Sequence, residues 1–265
     1  MAEKVSTSTL SRMPGLLIPV REQPTHDPVL NLERESSLMT TAEAPSFRVW
    51  RSTDSVVLGR FLTPEDEVHL SRSADLRVPV LKRPSGGGAV FHDLGNVNYS
   101  IYLPQGSLPG LSIKESLRLL SFPVTGLLDT LGIGWLWEPP NNIYVRGAKI
   151  SGSAQARSRG RLLHHGTLLV STNLDRMHKL LRPGGRSRIA SVVNLVDVVP
   201  GITTEEAERL MFEILTGKMP QSQFDIAYPT WWCRRPDTTN PPQDRGADSA
   251  PGTFVAGLMI VSAMQ

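Results

Sequence analysis

Cysteine is nearly absent: the 265-residue chain holds one, Cys233. That excludes an internal disulfide framework and a clustered-cysteine zinc site, and it fits a reducing cytoplasm. No apolar run reaches the roughly 18 residues of a membrane span, and the greasy C-terminal FVAGLMIVSAMQ (254–265) is too short to be one. The N-terminal MAEKVSTSTLSRMPG lacks the apolar centre of a secretory signal, so the mature chain is expected to start at or near Met1. A large excess of one charge is missing too. Lys+Arg number 28 against 25 Asp+Glu, a net +3, which disfavours a strongly basic nucleic-acid binder. What is there is ordinary for a globular protein: 40% hydrophobic, 6% aromatic and 20% charged residues, enough for one large domain or two small ones.

Residues 1–15 and 233–253 carry no regular apolar period; with the greasy end 254–265, they read as tails (1–15 and 233–265) around a domain spanning 16–232. Within it, Asp27 followed by Pro28 predicts a helix start, and Ser112 with Glu115 has capping-box spacing. Pro123 should end or kink that second helix, and a further apolar run should stop at Gly132. Thr203 and Glu206 cap a third helix whose inward stripe is Ala207, Leu210, Met211 and Ile214. Two strands joined by a turn are expected in 47–61, and strand-like runs recur at 77–83, 88–93, 96–103, 142–152 and 165–171. Strands and helices do not alternate regularly, which disfavours a doubly wound parallel sheet. The expected class is α+β, with a mixed, largely antiparallel sheet flanked by helices.

Four segments can carry chemistry. RPSGGGAVFHDLGNVNYS (83–100) has three glycines in a row, which either bring backbone N–H groups close to a ligand or make a turn between strands. Arg83 before them offers a fork of donors suited to phosphate or carboxylate. No Walker motif and no GxGxxG fingerprint is present, so any nucleotide is bound in another way. RGAKISGSAQ (146–155) sets Lys149 among small residues, where it is either a point charge for an anion or a solvated surface lysine. In HHGTLL, His164 and His165 would face opposite sides of a strand, against a shared metal, and the following NLDRMHKLL reads as a helix with Leu174, Met177 and Leu181 inward. Arg157, Arg159 and Arg161 form a basic cluster of the kind that faces solvent.

In this order, the glycine-rich segment, KISGSAQ and HHGTLL resemble the three most distinctive stretches of the lipoate–protein ligase A family, within the biotin/lipoate protein ligase superfamily. HDPVLNLERE, WRSTDSVVLGR and SRIASVVNL are similar to its supporting segments, and the likeness covers roughly residues 20–215. The resemblance implies the fold of biotin ligases and class II aminoacyl-tRNA synthetases. It implies that lipoate and ATP, the latter with Mg2+, give lipoyl-adenylate, which a lysine of an acceptor lipoyl domain then attacks in the cytoplasm. Lys149 is the implied catalytic residue, contacting the lipoate carboxylate and the α-phosphate. The implied substrate- and ATP-binding set adds Arg83, Ser85, Gly86, Gly87, Gly88, Ala89, Val90, Phe91, His92, Asp93, Asn142, Ser151, Gly152, Ser153, His165, Gly166 and Thr167, with no protein metal ligand. Val90, Ile150 and Leu168 are expected to line an apolar slot for the dithiolane.

Three departures stand out. Asn141-Asn142 replaces a frequent Asn-Asp, Pro84 lies inside the glycine-rich motif, and residues 216–265 do not resemble the family's small accessory domain, so either a separate partner protein supplies it or this chain works without it. The competing readings are an octanoyl transferase of the same fold and a catalytically silent lipoate-binding relative. Such transferases use an acyl-enzyme cysteine or a distinct lysine arrangement, and the one thiol here, Cys233, lies beyond all the motifs. A biotin ligase is a weaker alternative, resting on SRGRLL (158–163).

Overall fold

A computed structural model describes residues 17–104, 107, 112–183 and 191–217. Both expected tails, residues 1–15 and 233–265 with Cys233, lie outside the described residues.

The strand NVNYSIYL organises the molecule. It forms β6 (Asn96–Leu103), and all eight of its residues are buried. Its alternation explains this: Val97, Tyr99, Ile101 and Leu103 enter the main apolar core, while Asn98, Ser100 and Tyr102 take the other face of the pleat. Around it lies a seven-stranded sheet. In spatial order this is β1 (Ile18–Pro19), β2 (Ser46–Trp50), β6, β10 (Arg161–Leu169), β9 (Ala148–Ser158), β8 (Asn142–Val145) and β7 (Leu136–Glu138). Only the short β1–β2 pair in this sheet is parallel; the other neighbours are antiparallel. A second sheet of three strands has β3 (Ser55–Leu58) between β4 (Val80–Lys82), parallel to it, and β5 (Val90–His92), antiparallel. The expected α+β class, with a mixed and mostly antiparallel sheet, is what the chain adopts.

The core face of the large sheet is covered by α4 (Ile113–Leu120), α5 (Phe122–Thr130) and α7 (Thr204–Leu215). Ser112 and Glu115 close the capping box on α4, Pro123 sits in the first turn of α5, and Gly132 follows its end in a left-handed conformation. The stripe Ala207, Leu210, Met211 and Ile214 of α7 is buried in the same core as Leu120, Leu127 and Leu128. Deleting one such leucine side chain costs about 2–5 kcal/mol.

The opposite face carries α1 (Pro28–Thr41), which starts where Asp27 accepts the Leu30 N–H at 2.8 Å. Arg48 of β2 holds this helix through Asn31 (Nη2 to Oδ1, 2.8 Å), and Ser100 of β6 holds it through Glu35 (Oγ to Oε1, 2.6 Å). Leu32 packs with Val57 and Leu81 of the small sheet. The short helices α2 (Pro64–Glu67) and α3 (Leu70–Asp75) link β3 to β4, and the small sheet's other side packs on α6 (Leu174–Leu180), beside which Met177 and Leu181 are buried and Leu174 is partly so.

Two expectations need correction. The strands in 47–61 exist but do not pair with each other: β2 joins the large sheet and β3 the small one. The run 142–152 is not one strand but parts of β8 and β9, joined at Arg146 and Gly147, both with positive φ. Arg159 likewise belongs to a turn, with Gly160, between β9 and β10.

Candidate active site

A cavity of about 430 Å³ lies where α1 and the small sheet face the large one. That is the size of ordinary small-molecule sites. Its floor is the non-core face of the large sheet, with Asn98 of β6, His165 and Thr167 of β10, Gly152 and Ala154 of β9, Asn142 of β8 and Trp50 of β2. Leu32 and Glu35 of α1 close one side; Val57, Arg83, Gly87, Gly88, Ala89, Val90 and His92 of the small sheet and its loop close another.

Lys149 reaches this floor because β8 and β9 slip register between Ile143 and Tyr144, which pairs Lys149 with Tyr144. Segment 191–193 clamps its backbone, Lys149 N to Ser191 O at 2.7 Å and Val193 N to Lys149 O at 3.0 Å. The side chain lies flat across Gly152, where a Cβ would stand 3.0 Å from both Cε and Nζ. Only a residue without a side chain leaves room for it. Burial draws the Lys149 pKa down from the usual lysine range, Glu138 pushes it back up, and Arg83 lowers it further. Asn142 also borders Gly152, so a neutral amide stands near the ammonium where a carboxylate would have paired with it. Asn141 instead bonds the Ser153 backbone in both directions.

Arg83 is placed differently from the expectation of a free fork. It is buried, and four of its donor contacts stay within the chain. Nε donates to Ser85 Oγ at 2.9 Å, Nη1 to Val57 O at 3.0 Å, and Nη2 to Gly86 O and Gly88 O, both at 2.8 Å. The guanidinium therefore gathers the carbonyls of the glycine loop inward. Gly87, with φ of +91°, supplies the backbone turn this requires. Burial brings the Arg83 pKa down to about 10, with Glu35 opposing, so the group keeps its charge at neutral pH. Pro84 does not disturb the loop, because the flanking bonds use Arg83 N to Leu58 O (3.0 Å) and Arg60 N to Ser85 O (2.8 Å).

Behind Arg83 runs a buried chain that the motifs did not suggest. Ser85 Oγ lies 2.6 Å from His165 Nε2, and His165 Nδ1 lies 2.9 Å from Glu35 Oε2. Burial alone would raise the Glu35 pKa; the His165 contact, Ser100 and Arg48 outweigh it and hold the carboxyl below its usual range. Glu35 was missed although a signal existed: it falls on the inward stripe of α1 with Leu32 and Met39, an ionisable group among buried positions. Trp50, Asn98 and Tyr99 were missed as well, hidden among residues of ordinary strand type.

Of the residues expected at a site, Arg83, Gly87, Gly88, Ala89, Val90, His92, Asn142, Lys149, Gly152, Ser153, His165, Gly166 and Thr167 line the cavity together. Five do not. Ser85 and Gly86 stand behind it as partners of Arg83. The Phe91 side chain is buried in the core of the small sheet. Asp93 ties a connection together instead, accepting from Gly95 N at 3.0 Å and Asn173 N at 2.7 Å. Ser151 borders a smaller cavity of about 90 Å³ with Ile150, Met177 and Leu181. The apolar slot is also redrawn. Val90 lines the main cavity and Ile150 only the smaller one, whereas strand alternation turns Leu168 into the main core. His164 takes the face opposite His165 and is held neutral by burial between Tyr99 and Gln155. No group of three or more His, Cys, Asp or Glu among the described residues could hold a metal, and none of the described helices is long and apolar enough to cross a membrane.

This is a mixed-sheet domain whose cavity sets one half-buried lysine against a glycine loop held by Arg83, an arrangement of fixed cation and backbone amides chemically suited to anionic small molecules. The comparisons make this specific: residues 27–216 match the family described as the lipoyl protein ligase A/B catalytic domain, and the chain belongs to that family. A relative from Aeropyrum pernix, named as a candidate lipoate-protein ligase A, is 35% identical over 159 residues, 59% of this chain and 59% of that protein. The match thus spans under two thirds of that relative's length. The chain is also similar to a bi-partite lipoate protein ligase of Thermoplasma acidophilum, solved in a study of that ligase and its E2 lipoyl domain. That likeness has 26% identity, a TM-score of 0.65, and covers 76% of this chain and 82% of the other. A lipoate-protein ligase A solved with ATP is 26% identical, with a TM-score of 0.65, over 76% of this chain and 84% of that one.

Proposed function

We propose that this chain is the catalytic domain of an ATP-dependent lipoate–protein ligase, with residues 16–232 as its working unit. The carrying observation is the juxtaposition of the Lys149 ammonium, laid over Gly152, with the loop that Arg83 organises around Gly87. Lipoate and ATP are both anions, and joining them requires that carboxylate oxygen and α-phosphate approach. A single amine between them lowers that repulsion, and backbone amides of the glycine loop receive phosphate oxygens as charge shifts. The neutral Asn142 leaves the lysine's charge for substrate. The products of the first step are lipoyl-adenylate and pyrophosphate; an acceptor lysine then takes the acyl group as an amide and releases AMP. Magnesium enters bound to ATP phosphates as part of that substrate. The acceptor is a lipoyl domain, the kind of partner studied with the Thermoplasma ligase, and the two-part nature of that relative supports a separate accessory polypeptide here.

A ligase is favoured over an acyl transferase because the family-matched region contains no cysteine. The test is pyrophosphate release and acceptor mass gain with lipoate, Mg-ATP and a lipoyl domain, with and without a candidate accessory protein. Lys149→Ala should melt like the wild type and lose on the order of 10²-fold or more of adenylation rate. Near-normal pyrophosphate release by that variant would overturn the assignment.

A further inference from the structure

Asn98 is 1% exposed, lines the cavity, and has no hydrogen-bond partner for either Nδ2 or Oδ1 among the described residues. A buried amide left this way is costly, and native structures rarely keep one without a use. Its position gives the use. The strand registers place Trp50, Asn98, Thr167, Gly152 and Asn142 in a single row across five strands, all lining the cavity. Lys149 lies over Gly152 in that row. Gly152 and Asn98 are two strand spacings apart, about 10 Å. Beyond Asn98 the row ends at Trp50, whose indole Nε1 donates to Ser100 Oγ and whose ring meets His92 edge-on; Leu32 and Val57 line the cavity too.

On the ligase reading, a carboxylate held at Lys149 sends its acyl chain along this row toward Trp50. A chain of octanoyl length then ends beside Asn98. In lipoate that end carries the two dithiolane sulfurs, which are weak hydrogen-bond acceptors; in octanoate it is a methyl group that accepts nothing. We infer that the Asn98 carboxamide donates an N–H to the dithiolane and thereby selects lipoate over octanoate. The selection works by gain: the amide is already buried and unpaired in the free protein, lipoate supplies it an acceptor and octanoate leaves it as it was.

The inference rests on the ligase reading, and binding separates the two because it needs neither turnover nor an accessory protein. Isothermal titration of the full chain with lipoate and with octanoate should give wild type a roughly tenfold preference for lipoate. In Asn98→Leu, which removes the amide at similar volume, the ratio should fall close to one, chiefly through weaker lipoate binding. Asn98→Ser, too short to reach the ring, should also reduce the ratio, and thermal melting of both variants checks that the fold is kept. If wild type binds both acids equally, or if both folded variants keep the wild-type ratio, the Asn98 assignment is overturned while the ligase reading stands. If wild type binds neither acid, both fall together.

Discussion

Arg83→Lys separates two roles that an arginine beside a glycine loop can play. In the structure, the guanidinium reaches Ser85 Oγ, Val57 O, Gly86 O and Gly88 O at 2.8–3.0 Å, acceptors spread around one plane. An ammonium keeps the charge but not the plane, and from a single nitrogen it can serve about half of these acceptors. Hydrogen bonds to a charged donor contribute about 1.5–3 kcal/mol each, so losing two costs about 3 kcal/mol or more. For a chain of this size that lowers the melting temperature by roughly 6–12 °C. Adenylation should fall at the same time, because the carbonyls of Gly86 and Gly88 are no longer drawn inward and the loop's amides lose their aim. Thermal unfolding and pyrophosphate release, measured on the same preparation, are the assay. A lysine variant as stable as wild type but inactive would refute the clamp and make Arg83 a direct substrate contact instead.

Two further perturbations follow from the same geometry. Gly152→Ala puts a Cβ within 3.0 Å of Lys149 Nζ, and since that is the end of a flexible side chain the amine moves rather than the backbone. Stability should therefore change by under about 1 kcal/mol, while adenylation falls roughly 10- to 100-fold; equal losses in both would argue against it. Acid sensitivity has a named contributor in His92, which burial first, and then Arg83 and His165 against Glu35, bring down to about 3. A histidine titrating near 6.5 when unfolded binds more protons in that state, so its contribution is complete above about pH 6.5 and is lost as pH falls toward 3. Urea midpoints of His92→Gln should decline less steeply than wild type across that window, and parallel curves would rule the histidine out.

Much of the frame was legible because it depends on local chemistry. Asp27, Ser112 and Thr203 each accept the backbone N–H three residues on, as their spacing predicted. The alternation in NVNYSIYL announced a strand with one apolar face. What stayed hidden depends on positions distant in sequence. Nothing near Arg83 says that the Val57 carbonyl, 26 residues away, accepts a hydrogen bond from it, nor that Glu35 meets a histidine 130 positions later. The split of 142–152 was obscured because Arg146, a non-glycine residue with φ of +51°, makes half of the turn. Strand patterns also could not reveal that β3 and β5 leave the large sheet and cross to a second one, the step that creates the cavity.

The row from Trp50 to Asn142 works as a ruler whose graduations are main-chain hydrogen bonds. Side-chain changes at its two ends alter what is recognised there, but the interval between them is fixed by the sheet and comes in whole strands. Evolution of this site toward shorter or longer acids would therefore proceed by jumps, moving an end mark to a neighbouring strand, rather than by gradual stretching.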